Sequence, residues 1–146
     1  MKLPLLSIVV LLSAHRAFSQ PFNYEVHLEP ISIDNLDGTH SYAFGQHNGK
    51  WLIIGGRKDG IHARQPFNAF PATFNNTEIM VADPESKEVW TNDLNELGQN
   101  LQEQLQSTNM SFHQIEDTLY IAGGYAYSTS QADHITFPYL TTIIVS

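Results

Sequence analysis

The chain has 146 residues, with 15 acidic against 7 basic side chains and a formal net charge of −8. Nucleic acid and anionic membranes are therefore poor partners, because phosphate binding needs clustered Lys and Arg. The absence of cysteine excludes disulfides and a lipid-anchored N-terminal cysteine.

Residues 1–19 read as a secretory signal: Lys2, an apolar stretch over 3–12, then Ala17-Phe18-Ser19 as a small-x-small cleavage site. The apolar stretch is too short to span a bilayer, which takes about 20 apolar residues. Cleavage after Ser19 leaves 127 residues beginning at Gln20, with 5 basic and 15 acidic side chains. An exported chain without disulfides is expected to be a secreted or cell-envelope bacterial protein, with no membrane insertion once the signal is removed.

Residues 20–40 form a lead-in. Tyr24, Val26, Leu28, Ile31 and Ile33 alternate with polar positions and Asp37-Gly38 makes a turn, so this stretch is an extended lead-in or a closing strand. Residues 41–91 hold a first four-strand unit, with strands at 41–46, 51–55, 78–82 and 88–91 marked by β-branched and aromatic residues between Gly, Asn and Asp turns. Asp83-Pro84-Glu85-Ser86-Lys87 is the hairpin between the last two, with Asp opening the turn and Pro presetting the next φ.

Residues 92–108 link this unit to the next. Leu94, Leu97, Leu101 and Leu105 make a helical stripe, Asp93 and Glu96 form a capping pair, and Gly98 limits the helix to about 101–105. The stripe is expected to pack on the neighbouring sheet. Residues 109–146 hold a second unit with strands at 110–114, 119–122 and 141–145, and its fourth strand is expected to be absent. The fold class is therefore all-β and repetitive. Each unit carries a polar turn, an apolar strand and a double glycine, Gly55-Gly56 and Gly123-Gly124, 68 residues apart.

The double glycine, the variable loop, the β-branched strand ending in Asp83-Pro84 and then Trp90 resemble a kelch repeat, the blade of a β-propeller. The resemblance covers about 41–146, and its 68-residue spacing exceeds the family's usual repeat of about 50 because of insertions in the loop after Gly56 and in the linker. It implies about one and a half antiparallel blades of an incomplete ring. In such a blade Gly55, Gly56, Gly123 and Gly124 end strands where side chains do not fit, and Asp83 belongs to the motif. Trp51, Trp90 and Tyr120 are plates for packing between blades. A ring needs about four to eight blades, so the chain is expected to be the N-terminal piece of a longer protein.

In an antiparallel meander successive connections leave alternate ends, which puts the three long segments, 57–76, 92–108 and 125–138, on one face. Binding residues tend to sit on such loops. The candidate ligand-binding residues are Arg57, His62, Arg64, Gln65, Tyr125, Tyr127 and His134, beside the rings Phe67, Phe70 and Phe74. Arginine forks, amides and rings suit a glycan, neutral or carboxylated, or a protein hot spot. Alternatively, the phenylalanines cover the blade edge and Asp59 pairs with Arg57 or Arg64 on the surface.

No metal, cofactor or catalytic residue is expected: the histidines show no helical metal-ligand spacing, and neither HExxH nor Gly-x-Ser-x-Gly occurs. Kelch propellers include copper radical oxidases, whose cofactor needs a cysteine that this chain lacks, and sialic-acid mutarotases, which place Arg and Glu near the axis. The expected function is thus an exported binding module for glycan or protein. The alternative is a carbohydrate-active enzyme, a sugar epimerase, lyase or oxidase.

Overall fold

The computed structural model describes residues 24–60 and 70–146. The signal segment and His62, Arg64, Gln65 and Phe67 lie outside the described residues. The chain divides into two units, Met1–Pro30 and Ile31–Ser146. In the first, residues 24–30 form no helix or strand, and Tyr24, Val26 and Leu28 are exposed. Among the described residues no helix is long and apolar enough to cross a membrane.

The second unit is all-β, as expected, with two four-stranded antiparallel sheets that do not close into a ring. Sheet 1 is a meander in the order β1 (Ala43–His47), β2 (Lys50–Ile54), β3 (Glu78–Ala82) and β4 (Val89–Asp93). Its hairpins follow from local chemistry. Asn48 and Gly49 take φ of 48° and 79°, the left-handed pair that a tight two-residue turn requires. Asp83 Oδ1 accepts the Glu85 and Ser86 amides at 2.9 and 3.2 Å, and Lys50 Nζ donates to Oδ2 at 2.6 Å. That lysine bond, with the two amides, holds the Asp83 carboxyl down at about 2.

A 3-10 turn at Leu94–Glu96, capped by Asp93 Oδ1 on the Asn95 amide at 2.7 Å, leads into helix α1 (Gln99–Leu105). The leucine stripe packs inward as expected, with Leu94 and Leu105 buried and Leu97 and Leu101 against the same core. Gln104 stitches α1 to sheet 2: its Nε2 donates to the carbonyls of Gly123 (3.3 Å) and Tyr139 (3.0 Å), and its Oε1 accepts from Thr141 at 2.6 Å.

Sheet 2 comprises β5 (Thr108–Ile115), β6 (Thr118–Ser128), β7 (Asp133–Thr136) and β8 (Leu140–Ile144). Here the structure corrects the sequence reading. The stretch after Gly124 holds a hairpin, β6–β7, that the sequence does not announce, whereas β8 pairs β6 as the expected third strand and no described strand pairs its other side. The glycine pair does not end β6, because Phe137 N donates to Gly124 O at 2.9 Å and Gly123 N to Tyr139 O at 3.1 Å, carrying the ladder across it. β7 pairs the outer half of β6 and β8 the inner half.

The first two strands of each sheet, with the double glycine, repeat position by position. Ser41 and Asn109 have φ of 58° and 57°, Asn48 and Glu116 48° and 51°, Gly55 and Gly123 66° and 71°. The His40↔Arg57 bridge corresponds to the Thr108↔Tyr125 pair. Gly56 O accepts Asn76 N as Gly124 O accepts Phe137 N.

The core lies between the sheets. One face of sheet 1, with Ala43, Leu52, Ile54 and Ile79, meets the face of sheet 2 that carries Met110, Leu119, Ile121 and Ile143. Gly45 lets them approach: a Cβ there would sit 3.2 Å from Leu119 Cδ2. The expected plates do not lie in this interface. Trp51, half-buried and edge-on to Phe44, and Tyr120, 37% exposed, are turned away from it by alternation along β2 and β6, while Trp90 shares the Leu52–Val81 side of sheet 1 but lies on edge strand β4 and is 46% exposed.

Candidate functional site

At the long-loop end, residues from the two sheets meet. Tyr125 and Tyr127 stand on β6, where strand alternation sets them on one face and buries Ala126 and Ser128 on the other. His134, opposite Tyr127 in the β6–β7 ladder, stacks on Tyr125 at 5.9 Å and meets Tyr127 edge-on at 5.3 Å. Phe70, from the loop of sheet 1, packs edge-on to Tyr125 at 5.2 Å, and its carbonyl lies 3.3 Å from His134 Nε2. The result is a row of four rings, with Tyr127 and His134 exposed at its outer end.

Arg57 forms the inner wall. Its bridge to His40 and Asn75 places it directly after Gly56, and its side chain is 1% exposed. Nε donates to Asp59 Oδ1 at 3.1 Å and Nη2 to Asp59 Oδ2 at 2.8 Å. Nη1 reaches Asn75 Oδ1 at 3.1 Å, Nη2 reaches the Pro71 carbonyl at 3.2 Å, and the guanidinium covers the Phe70 ring at 5.3 Å. The Asp59–Arg57 pair expected on the surface is thus buried, with Asp59 only 6% exposed. Its bonds to Arg57 hold the Asp59 carboxyl at about 2, so it stays ionised at neutral pH. Arg57 positions Phe70 and the loop behind it.

Among the residues expected to bind, Arg57, Tyr125, Tyr127 and His134 are brought together, while His62, Arg64 and Gln65 lie outside the described residues. Phe74 is exposed in a 3-10 turn, Ala72–Phe74. Two braces escaped the sequence reading. Buried Asn76 donates from Nδ2 to Gly55 O at 3.2 Å and Glu78 O at 2.9 Å, holding the loop base on the glycine pair. Glu103 of α1 accepts from the hydroxyls of Ser128 and Thr129, both at 2.6 Å, and from the Ser130 amide at 3.0 Å. Its partial burial would raise its carboxyl, but these bonds prevail and hold it at about 2. The hydroxyl run Ser128-Thr129-Ser130 was the available signal, and nothing local links it to Glu103.

This arrangement offers flat apolar rings bordered by a phenol and an imidazole, a surface suited to stacking against a sugar ring or an amphipathic peptide. Compared with family models, with curated proteins and with solved structures, the chain matches none.

Proposed function

We propose that the chain is an exported, kelch-type propeller segment that binds a glycan or a protein through its long-loop end. The observation that carries this reading is the ring row Phe70, Tyr125, His134 and Tyr127, built from both sheets and open to solvent at Tyr127 and His134. The kelch part rests on the double glycines with matching left-handed backbones, the Asp83 turn and the repeated four-stranded architecture. Export rests on the sequence of residues 1–19, and the secreted product is expected to begin at Gln20; an intact mass that retains Met1 would sink that part.

The binding face is tested by glycan array followed by calorimetry on the best-captured sugar. Tyr127→Ala is expected to weaken binding about ten- to a hundredfold, the loss of one stacked ring, or about 1.4 to 3 kcal/mol. Lys87→Ala, in the exposed hairpin at the opposite end, is expected to leave affinity unchanged. Equal affinities for both variants would place the binding face elsewhere, and turnover of the captured sugar would favour an enzyme.

A further inference from the structure

A second recess lies apart from the ring row, where the 36–39 segment crosses sheet 1. Strand alternation places Tyr42 and Phe44 on one side of the chain and buries Ala43 on the other. In the β1–β2 ladder Phe44 stands opposite Ile53 and Gln46 opposite Trp51, so Trp51 is the diagonal neighbour of Phe44 on the same face. Their rings meet edge-on, with centroids 6.3 Å apart and planes at 64°. Tyr42, Phe44 and Trp51 are each half-buried, and together with Ile53 and Leu36 they line a cavity of about 430 Å³. Three aromatic residues thus border one space.

Among the described residues of that lining Asp37 alone is charged, and none is basic. Lys58, which does not line the cavity, binds the Asp37 carboxylate at 2.9 Å but also that of Glu78 at 3.2 Å, so two carboxylates share one ammonium and the cluster keeps one negative charge. Thr39 donates its hydroxyl to the Asp37 carbonyl at 3.2 Å, which leaves the Tyr42 phenol and the Asp37 carboxylate as the main polar groups for a ligand. A sugar needs more hydrogen-bond partners than these, and an anion is opposed by Asp37. A primary ammonium would lose water from three N–H donors with too few acceptors to replace it. A quaternary ammonium has no N–H to satisfy. Its methyl groups gain from apolar burial, and its charge is attracted by the ring faces.

We propose that this cavity binds a free, small quaternary ammonium compound, its methylated head held against Tyr42, Phe44 and Trp51 with Asp37 at the rim. This goes beyond the binding reading and does not depend on it, because no residue of the ring row lines the cavity.

The test is calorimetry on the full chain with choline and with its neutral isostere, in which carbon replaces the nitrogen, while tryptophan fluorescence is read in parallel. Choline is expected to bind about tenfold or more tightly than the isostere and to change an emission that Trp90→Phe retains and Trp51→Leu removes. Trp51→Leu keeps an apolar side chain beside Ile53 and is expected to weaken choline about tenfold while narrowing its advantage over the isostere. Asp37→Asn, at a side chain 63% exposed, is expected to weaken choline about two- to fivefold and leave the isostere unchanged, a split that general misfolding would not produce. Equal affinities for choline and the isostere, full choline affinity in Trp51→Leu, or capture by phosphatidylcholine vesicles without binding of choline would each overturn the proposal.

Discussion

Arg57→Ala is expected to destabilise the fold by about 3 to 5 kcal/mol, read as a lowered urea midpoint, because it removes the buried cation from the Asp59 carboxylate and leaves it only His40 Nε2 at 3.3 Å. Both side chains are almost fully shielded, at 1% and 6% exposure, so water cannot replace the guanidinium. The lost contacts to Asn75 Oδ1 and the Pro71 carbonyl free the base of the loop as well. Adding Asp59→Asn to Arg57→Ala removes the stranded charge and is expected to recover part of the loss. Acid dependence checks the same pair. Asp59 has a folded value of about 2 against an ordinary 3.8, so its stabilisation is complete above pH 3.8 and fades as the pH falls towards 2. In Arg57→Ala that contribution is gone, and the variant is expected to gain less stability between pH 2 and 4 than the native chain. An unchanged midpoint at neutral pH would mean that the ion pair contributes nothing beyond what water supplies.

Gly55→Ala is expected to cost about 2 to 5 kcal/mol, combining about 1 to 2 for a left-handed backbone with about 1 to 3 for overpacking. The residue has φ of 66°, and an added Cβ would lie 2.5 Å from Met110 Cε, 2.6 Å from Ser107 O and 2.7 Å from Leu105 O. Met110 can shift, but the two carbonyls belong to the last turn of α1 and to the backbone that joins it to β5, and cannot. Gly49→Ala provides the control. It shares the left-handed backbone, at 79°, yet has nothing within 4 Å of an added Cβ. Urea titration of the two variants separates the terms, with the Gly49 variant expected to lose only about 1 to 2 kcal/mol. Equal losses would show that close packing of the sheets at Gly55 adds nothing to the backbone penalty.

The parts of this molecule that were legible in the sequence are those whose causes are local. Strand β3 falls where its β-branched run falls, the Asn48-Gly49 turn follows from two residues that tolerate positive φ, and the Asp83 hairpin follows from a carboxylate two and three residues from the amides it accepts. The doubled architecture was legible too, because repetition of Gly55-Gly56 and Gly123-Gly124 requires only comparison along the chain. The aromatic and histidine content of the long-loop face could be read in the same way, but its arrangement could not.

What only the tertiary structure decided depends on partners distant in sequence. A double glycine ordinarily weakens a strand, yet β6 continues through Gly123-Gly124 because the backbone around Phe137 and Tyr139 completes its ladder. Arg57 reads as a surface cation until Asp59, Asn75 and Pro71 enclose it, which lets a charge be buried at tolerable cost. Glu103 gives no sign of a role until the fold brings it to Ser128, 25 residues away, where it ties the linker helix to the hairpin that carries Tyr127 and His134. Burial and pairing are properties of the whole chain's path, and the exposure of Tyr120 and Trp90 was decided there as well, the first through the choice of which face sheet 2 buries and the second through the place of β4 at the edge of sheet 1.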